Sequence, residues 1–519
     1  MNITLSNAVL CDQKGQHYRV DNYMMRFRQI LYIQVPDSTM KKLLVTNLAS
    51  KAISSLLLEK YSRVAPSLRR NFSAFGQLIT QPKPNHLLFH SDKGSLKMEN
   101  HFSFDDYDAI GFDLDNTVIR YNVQNMLYHE YKVLSEFLVE RGYSKDFLMM
   151  PVEDGSDFMQ KGLILDFERG NLLRICPDGH IQSGSHGSTF MTVEQIIAIY
   201  GEKKTWKVTD EYCKDMLVAW NGTMADQIRT CLDYFDMPAA LCFARIIDSI
   251  DHQKGGPQEK YTVWPDVLAG LMAMYNRENF AKDTSKYFTG LQRNPAKFIR
   301  KCDPKVLEWL KELKKKKTTF ILTGSHIDFA SHTAGFAIGE DWRDYFDIAI
   351  CYAKKPGFFT MNRPFLTLCG NDETGEIKAA DMKAGEAYSQ GNYPELKKFI
   401  NSSCKMADAK VVYVGDNLIQ DVFTPNKHMK VDTVAIVEEM LAEGVDADPN
   451  FKVLQSNVWG SYFHVAKEDT LWEKIIRKHA KICVPSIDVL ASHPIDYKFT
   501  AFDPKNHSSC GYHPHDPTN

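Results

Sequence analysis

The sequence predicts an α/β fold in which a parallel sheet is covered by helices on both faces. Three observations carry that expectation. Continuous apolar runs recur at Tyr107 to Asp113, Thr318 to Thr323, Lys410 to Asp416 and Asp432 to Val437, and strands buried on both faces read as unbroken runs rather than alternating ones. Helical patterns separate them, at Pro304 to Leu313 and Pro394 to Asn401, and helices alternating with strands favour parallel pairing. The first three runs each end on a residue able to do chemistry: Asp113, Thr323 and Asp416.

With 519 residues and 44% hydrophobic content the chain can bury a large core, and a prior of roughly 100 to 200 residues per domain allows two to four units. A formal net charge of -3 provides no basic excess for nucleic acid or an anionic membrane surface, so neither is an expected partner. No apolar run approaches about 18 residues, so no transmembrane helix is expected. The eleven cysteines are scattered from Cys11 to Cys510, with no Cys-x-x-Cys pair and no metal-ligand spacing with histidine. They read as buried thiols of a reducing compartment. His513-Pro514-His515, near the C-terminus, reads as a solvated pair.

Residues 1–97 stand apart. Between Met40 and Thr80 seven basic residues face a single acid, Glu59, and Leu44, Leu48, Ala52 and Leu56 recur every four residues, the pattern of a basic amphipathic helix. Mitochondrial transit segments share this composition but begin at the N-terminus. A presequence used from Met40, a helical surface extension, and upstream sequence absent from the mature protein are equal readings. A cytoplasmic location is the expectation, with a mitochondrial one as the alternative. Gln81 to Asn85 and the polar stretch up to Asn100 read as a linker.

Residues 98–122 carry the first core strand. Residues 123–302 are too many for a loop and are expected to form a cap domain. Within it Gly162 to Arg174 reads as a hairpin with Arg169-Gly170 near its turn. Tyr234 to Ile247 and Trp264 to Tyr275 read as helices, with Pro238 and Pro265 near their starts. The core resumes over 303–503. There Asp303 caps a helix with Pro304 at its first position, Val306, Leu310 and Leu313 form the buried stripe, and Lys314 to Lys317 sit near the negative end. Residues 504–519 are a tail.

The stretch Ile110 to Thr117 ends its apolar run with two carboxylates one residue apart, Asp113 and Asp115, which a strand of period two aims at one cleft. They could share a cation or divide nucleophile and acid work; taken alone, the stretch fits a strand entering an Asp-rich turn equally well. In open parallel sheets the site lies at the carboxyl ends of the strands. Thr323, Lys355 of Ala353-Lys-Lys-Pro-Gly357, and Asp416 with Asp421 would join the pair there. A nucleophile, an acid/base, a hydroxyl donor, a cation and metal-binding carboxylates together suit hydrolysis of a phosphate ester.

This order and spacing resemble the 5'-nucleotidase branch of the haloacid dehalogenase superfamily. Further landmarks are Met98-Glu-Asn-His-Phe-Ser-Phe104, Lys355-Pro-Gly-Phe-Phe359 and Tyr497-Lys-Phe-Thr500, and the resemblance runs from Met98 to Phe502. It implies a haloacid dehalogenase-like Rossmannoid sheet with the cap inserted between the first and second motifs. It further implies that Asp113 attacks the phosphorus, that Asp115 protonates the leaving alkoxide and then activates water, and that Thr323 and Lys355 bind phosphoryl oxygens. Mg2+ would be held by Asp113, the backbone carbonyl of Asp115 and Asp416, with Asp421 orienting metal-bound water. Ser325, and His186 of Ser185-His186-Gly187, would lie near the substrate, a small phosphorylated metabolite such as a nucleoside monophosphate. A homo-oligomer is also in keeping with the branch.

The chain departs from that pattern in two places. Gly324-Ser325 stands where purine-acting members carry Asn-Ser, and Leu268 and Met272 fall where those members contact the base through an arginine and an aspartate. A pocket that loses hydrogen-bonding partners loses discrimination. Beside a magnesium-dependent phosphomonoesterase, this leaves a second expectation: a regulatory or interaction protein with weak catalysis that keeps the fold and the metal site.

Overall fold

The computed structural model describes residues 100–503 and 510–517, apart from 221, 444–446 and 467, together with two short antiparallel strands, Val9–Cys11 and His17–Arg19. The basic helix expected over 40–80 and the linker from Gln81 lie outside the described residues, as does any transit function of that segment.

The main sheet has nine strands: β1 (Ala109–Phe112), β2 (Thr318–Leu322), β3 (Ile348–Cys351), β4 (Phe365–Cys369), β5 (Asp372–Ile377), β6 (Ala387–Gln390), β7 (Val411–Gly415), β8 (Asp432–Ile436) and β9 (Ile482–Val484). Their order across the sheet is β5-β4-β6-β3-β2-β1-β7-β8-β9. From β6 to β9 every neighbouring pair is parallel, and β4 and β5 add an antiparallel hairpin to one edge. The chain steps outward from β1 through β2 and β3 on one side, then returns to β7 on the other. Strand order therefore reverses at β1, and the crevice at the carboxyl end of such a strand is where open sheets bind ligands.

All four residues of β1 are buried, as a strand covered on both faces requires. On one face Phe320 and Tyr413 pack with Leu396, Phe399 and Ile400 of the helix Tyr393–Cys404. Gly111 makes this possible, since a Cβ there would stand 2.1 Å from the Phe320 ring. On the other face Phe112 meets Trp309 of the helix Pro304–Lys316 edge-on, with ring centroids 6.1 Å apart. That helix starts as its sequence indicates: Asp303 accepts from the Lys305 amide at 2.8 Å, and Pro304 occupies the first turn. Helices thus cover both faces of a parallel sheet.

Between β1 and β2 the chain builds a second sheet of five antiparallel strands, in the order Thr189–Phe190, Ile181–His186, Asn171–Ile175, Ile164–Asp166, Ile228–Thr230. The hairpin read from Gly162 to Arg174 is there, with Asp166 opposite Asn171. Helices Val123–Glu140, Met237–Lys254 and Trp264–Met274 form a layer in the same insertion. The insertion is tied to the core by buried groups. Arg174 donates to the carbonyls of Trp459 (3.1 Å) and Ser461 (2.5 Å), and the Trp472 indole donates to the Gly162 carbonyl at 3.1 Å.

The C-terminal segment differs from its reading as solvated chain. Tyr512 is buried, bridges Cys483 of β9 and donates to Glu473, while the His513 ring bonds the Thr500 carbonyl at 2.9 Å. An aromatic that completes an otherwise open sheet edge outweighs the polar residues around it. Among the described residues no helix is long and apolar enough to cross a membrane.

Candidate active site

The sheet delivers the acids expected of it. Asp113 follows β1 directly; its amide donates to the Val414 carbonyl of β7 at 2.8 Å, so the ladder continues one residue past the strand and fixes where the side chain leaves it. Its Oδ1 accepts from Lys355 Nζ at 2.9 Å and from the Leu114 amide at 2.8 Å. Lys355 also donates to Asp421 Oδ1 at 2.7 Å and to the Tyr413 hydroxyl at 3.1 Å. Asp421 is drawn in over Gly415, where a Cβ would stand 2.4 Å from the Asp421 Cβ, and its other oxygen accepts from the Asn417 amide at 3.1 Å.

Asp115 is held separately. After β1 the chain turns through Asn116, whose φ is 56°, and the Ile119 amide closes on the Leu114 carbonyl at 2.8 Å. The turn brings Tyr121 back to donate to Asp115 Oδ1 at 2.7 Å. From the loop after β2, Ser325 donates to Oδ2 at 2.7 Å and Thr323 to the same oxygen at 3.4 Å. Thr323 is fully buried and also accepts from the Ser325 amide at 3.0 Å, so it stands behind the cavity wall rather than in it, with its hydroxyl engaged by Asp115.

The remaining charge is unbalanced. Oxygens of Asp113, Asp416 and Asp421 lie within 4.8 Å of one another. Asp416 Oδ2 is buried with no hydrogen-bond partner, and Lys161 Nζ stands 4.0 Å from it and 3.6 Å from Glu439. Five buried carboxylates, those of Asp113, Asp115, Asp416, Asp421 and Glu439, thus meet two buried ammonium groups, Lys161 and Lys355. Burial pushes Asp113 up to about 8 even against the pull of Lys355. Burial likewise raises Asp416 well above the usual carboxylate range, against Lys161 and with Asp233 adding to the rise. A hard divalent cation that takes oxygen ligands fits this all-carboxylate donor set and its orphaned oxygen.

A cavity of about 290 Å³ opens on these groups. The core lines it with Asp113, Asp115, Lys355, Asp416, Asp421 and the Gly324-Ser325 loop, and the insertion lines it with aromatics that include Phe235, Tyr275 and Tyr287. Arg277 enters from the insertion and pairs with Asp328 at 3.1 Å. Gly324 leaves open space where a side chain would project. Leu268 and Met272 do not line this cavity; Leu268 is packed inside the helical layer. The polar groups that line it from this side include Arg277 and Asp328, which the helix spacing did not reveal.

His186 is not at this cavity. Its ring bonds Asn171 Oδ1 at 2.8 Å, Asp251 Oδ2 at 2.9 Å and the Tyr261 hydroxyl at 3.1 Å, and it lines a different cavity inside the insertion. The hairpin partner decides which way it faces, and a Ser-His-Gly motif says nothing of that. Sequence reading also missed Tyr121 and Lys161. Tyr121 follows Asp115 by a turn with no recognisable spacing, and Lys161 carries no signal beyond a charged residue before a strand.

The profile of the 5' nucleotidase family matches residues 98–447. The human 5'-nucleotidase domain-containing protein 1 is 35% identical over 454 residues, covering 81% of this chain and 97% of that protein. Its Bos taurus counterpart is 34% identical over 451 residues, with the same coverage of 81% and 97%. A solved 2-haloacid dehalogenase from Pseudomonas syringae pv. Tomato DC3000 matches at 12% identity over 66% of this chain and 91% of its own, with a TM-score of 0.22, too loose a superposition to carry weight. With more than half of its residues matching the family profile, and with a relative of this identity covered almost end to end, the chain belongs to the 5' nucleotidase family.

Proposed function

We propose that this phosphatase-class hydrolase cleaves small phosphate monoesters, nucleoside monophosphates foremost, in a magnesium-dependent reaction through an aspartyl phosphate on Asp113. The observation that carries this reading is the division of the two carboxylates. Asp113 is held by an ammonium group and faces the cavity, while Asp115 is held by hydroxyls on its flank.

In this reading Asp113 Oδ attacks the phosphorus, the ester oxygen departs, and Asp115 gives it a proton. Asp115 then takes a proton from the water that attacks the phosphoryl group, which frees phosphate and restores the Asp113 carboxylate. Tyr121, Ser325 and Thr323 donate to the Asp115 carboxyl and fix its orientation for both halves of that cycle. Lys355 opposes the burial that raises Asp113, and adds positive charge where the phosphoryl oxygens gather negative charge. Magnesium would be held by Asp113, Asp416 and the main-chain carbonyl of Asp115, with Asp421 behind them, and would supply charge neutralisation to the phosphoryl oxygens. The aromatic wall of the insertion would stack a planar leaving group.

The test is hydrolysis of a panel of nucleoside monophosphates and sugar phosphates with magnesium, comparing the wild type with Asp113→Asn. Turnover of at least one nucleotide that falls by orders of magnitude in the variant is expected. Absence of any turnover sensitive to the substitution overturns the proposal.

A further inference from the structure

A second group of metal-type ligands lies outside that cavity. Cys176 and His180 flank the turn of the hairpin between Asn171–Ile175 and Ile181–His186, and Glu468 reaches them from the short strand Glu468–Asp469 ahead of the helix Leu471–His479. One ligand atom from each lies within 4.8 Å of the other two. Sequence reading found no metal-ligand spacing because the third member comes from far along the chain.

The two separations from Glu468 are those of a metal's coordination shell. Cys176 Sγ is 3.5 Å and His180 Nε2 is 3.6 Å from Glu468 Oε2. Tetrahedral zinc, with bonds of about 2.0 to 2.3 Å, places its ligand atoms about 3.3 to 3.7 Å apart. The histidine supplies an independent sign. Its Nδ1 bonds Asp178 Oδ1 at 2.7 Å, and a carboxylate can only accept, so the proton sits on Nδ1. The other ring nitrogen, Nε2, faces Glu468 Oε2 at 3.6 Å, beyond ordinary hydrogen-bond length, and lies with it and the Cys176 sulfur around one point. A carboxylate on the far nitrogen, as Asp178 is here, is the usual support for a metal-ligating histidine.

We propose that Cys176, His180 and Glu468 bind a divalent ion of the zinc type, oriented through Asp178, and that the ion clamps the insertion's hairpin to the core. Thiolate and imidazole select a borderline-soft ion over magnesium, which separates this site from the all-carboxylate one. Cys176 is buried, while the side chains of His180 and Glu468 are 23% and 60% exposed, so a fourth position is open to water. Burial, then Glu468, pushes the Cys176 thiol up to about 12, so binding would displace its proton.

The experiment is cobalt(II) titration of the chelator-treated full chain, followed by the near-ultraviolet thiolate-to-cobalt charge-transfer band. One equivalent bound with that band is expected, displaced by zinc and not by excess magnesium. The band should vanish in Cys176→Ser and His180→Ala and persist in Cys213→Ser. In Asp178→Asn affinity should weaken by about 10- to 100-fold. Because Glu468 is mostly exposed, Glu468→Gln tests the ligand set without touching the core, and it should weaken binding while leaving the circular dichroism spectrum unchanged. No charge-transfer band, or a band that survives Cys176→Ser, overturns the proposal.

Discussion

In Lys355→Met the ammonium group shared by Asp113 (2.9 Å) and Asp421 (2.7 Å) is lost, while the side chain keeps nearly its volume. Both carboxylates are buried, and the Tyr413 hydroxyl loses a donor as well. Removing one partner of a buried ion pair costs about 3 to 5 kcal/mol, because the surviving charge is left uncompensated. Burial already raises Asp113, so part of the strain would be relieved by protonating it, which places the expected loss near 3 kcal/mol at neutral pH. Urea denaturation without added metal reads this directly. Adding Asp421→Asn to the variant should then restore stability rather than remove more, since it deletes one of the two orphaned charges. Magnesium should stabilise Lys355→Met more than the wild type, for the same reason. A cost under about 1 kcal/mol, or a double variant as unstable as the two single losses added together, would refute the charge balance drawn here.

Three further outcomes follow from single contacts. Tyr121→Phe removes a buried donor 2.7 Å from Asp115; a hydrogen bond to a charged group is worth about 1.5 to 3 kcal/mol, so kcat/KM should fall roughly ten- to a hundredfold, and unchanged steady-state kinetics would remove Tyr121 from the site. Gly111→Ala puts a methyl group 2.1 Å from the Phe320 ring; thermal denaturation should show a loss of about 1 to 3 kcal/mol, partly recovered by Phe320→Leu. Burial lowers His479 from 6.5 to about 4. The unfolded chain therefore gains a proton below pH 6.5 that the folded chain refuses, so this stabilisation is complete above 6.5 and is lost as pH falls towards 4. The loss at about pH 5 is at most about 2 kcal/mol, and His479→Gln should flatten the melting temperature against pH over that interval, whereas parallel curves would show that the histidine is not the cause.

Asp113 and Asp416 were legible in the sequence because a short buried parallel strand is a local pattern and the acid that ends it sits beside the run itself. Lys355 and Asp421 were legible through order along the chain. Strands β3, β4, β5, β6 and β9 were not read, since three to six residues with little flanking punctuation do not outweigh the surrounding loops. What stayed hidden depends on how the insertion lies on the core. Lys161 reaches Asp416 and Glu439 only because the insertion's strands are held to the core by Arg174 and Trp472. His186 was placed at the substrate on a local motif, and its hairpin partner turned it elsewhere. The same dependence changes what the insertion is for. Its aromatic wall faces the cavity, the place from which a cap would select a substrate. Yet it also contributes Lys161, one of the two ammonium groups among the five buried carboxylates, and Asp233, which acts on Asp416 in the opposite sense. An insertion that only selected substrates could be exchanged without altering how the core ionises. One that supplies this lysine cannot, so the charge balance around Asp416 is set jointly by segments on either side of the cavity.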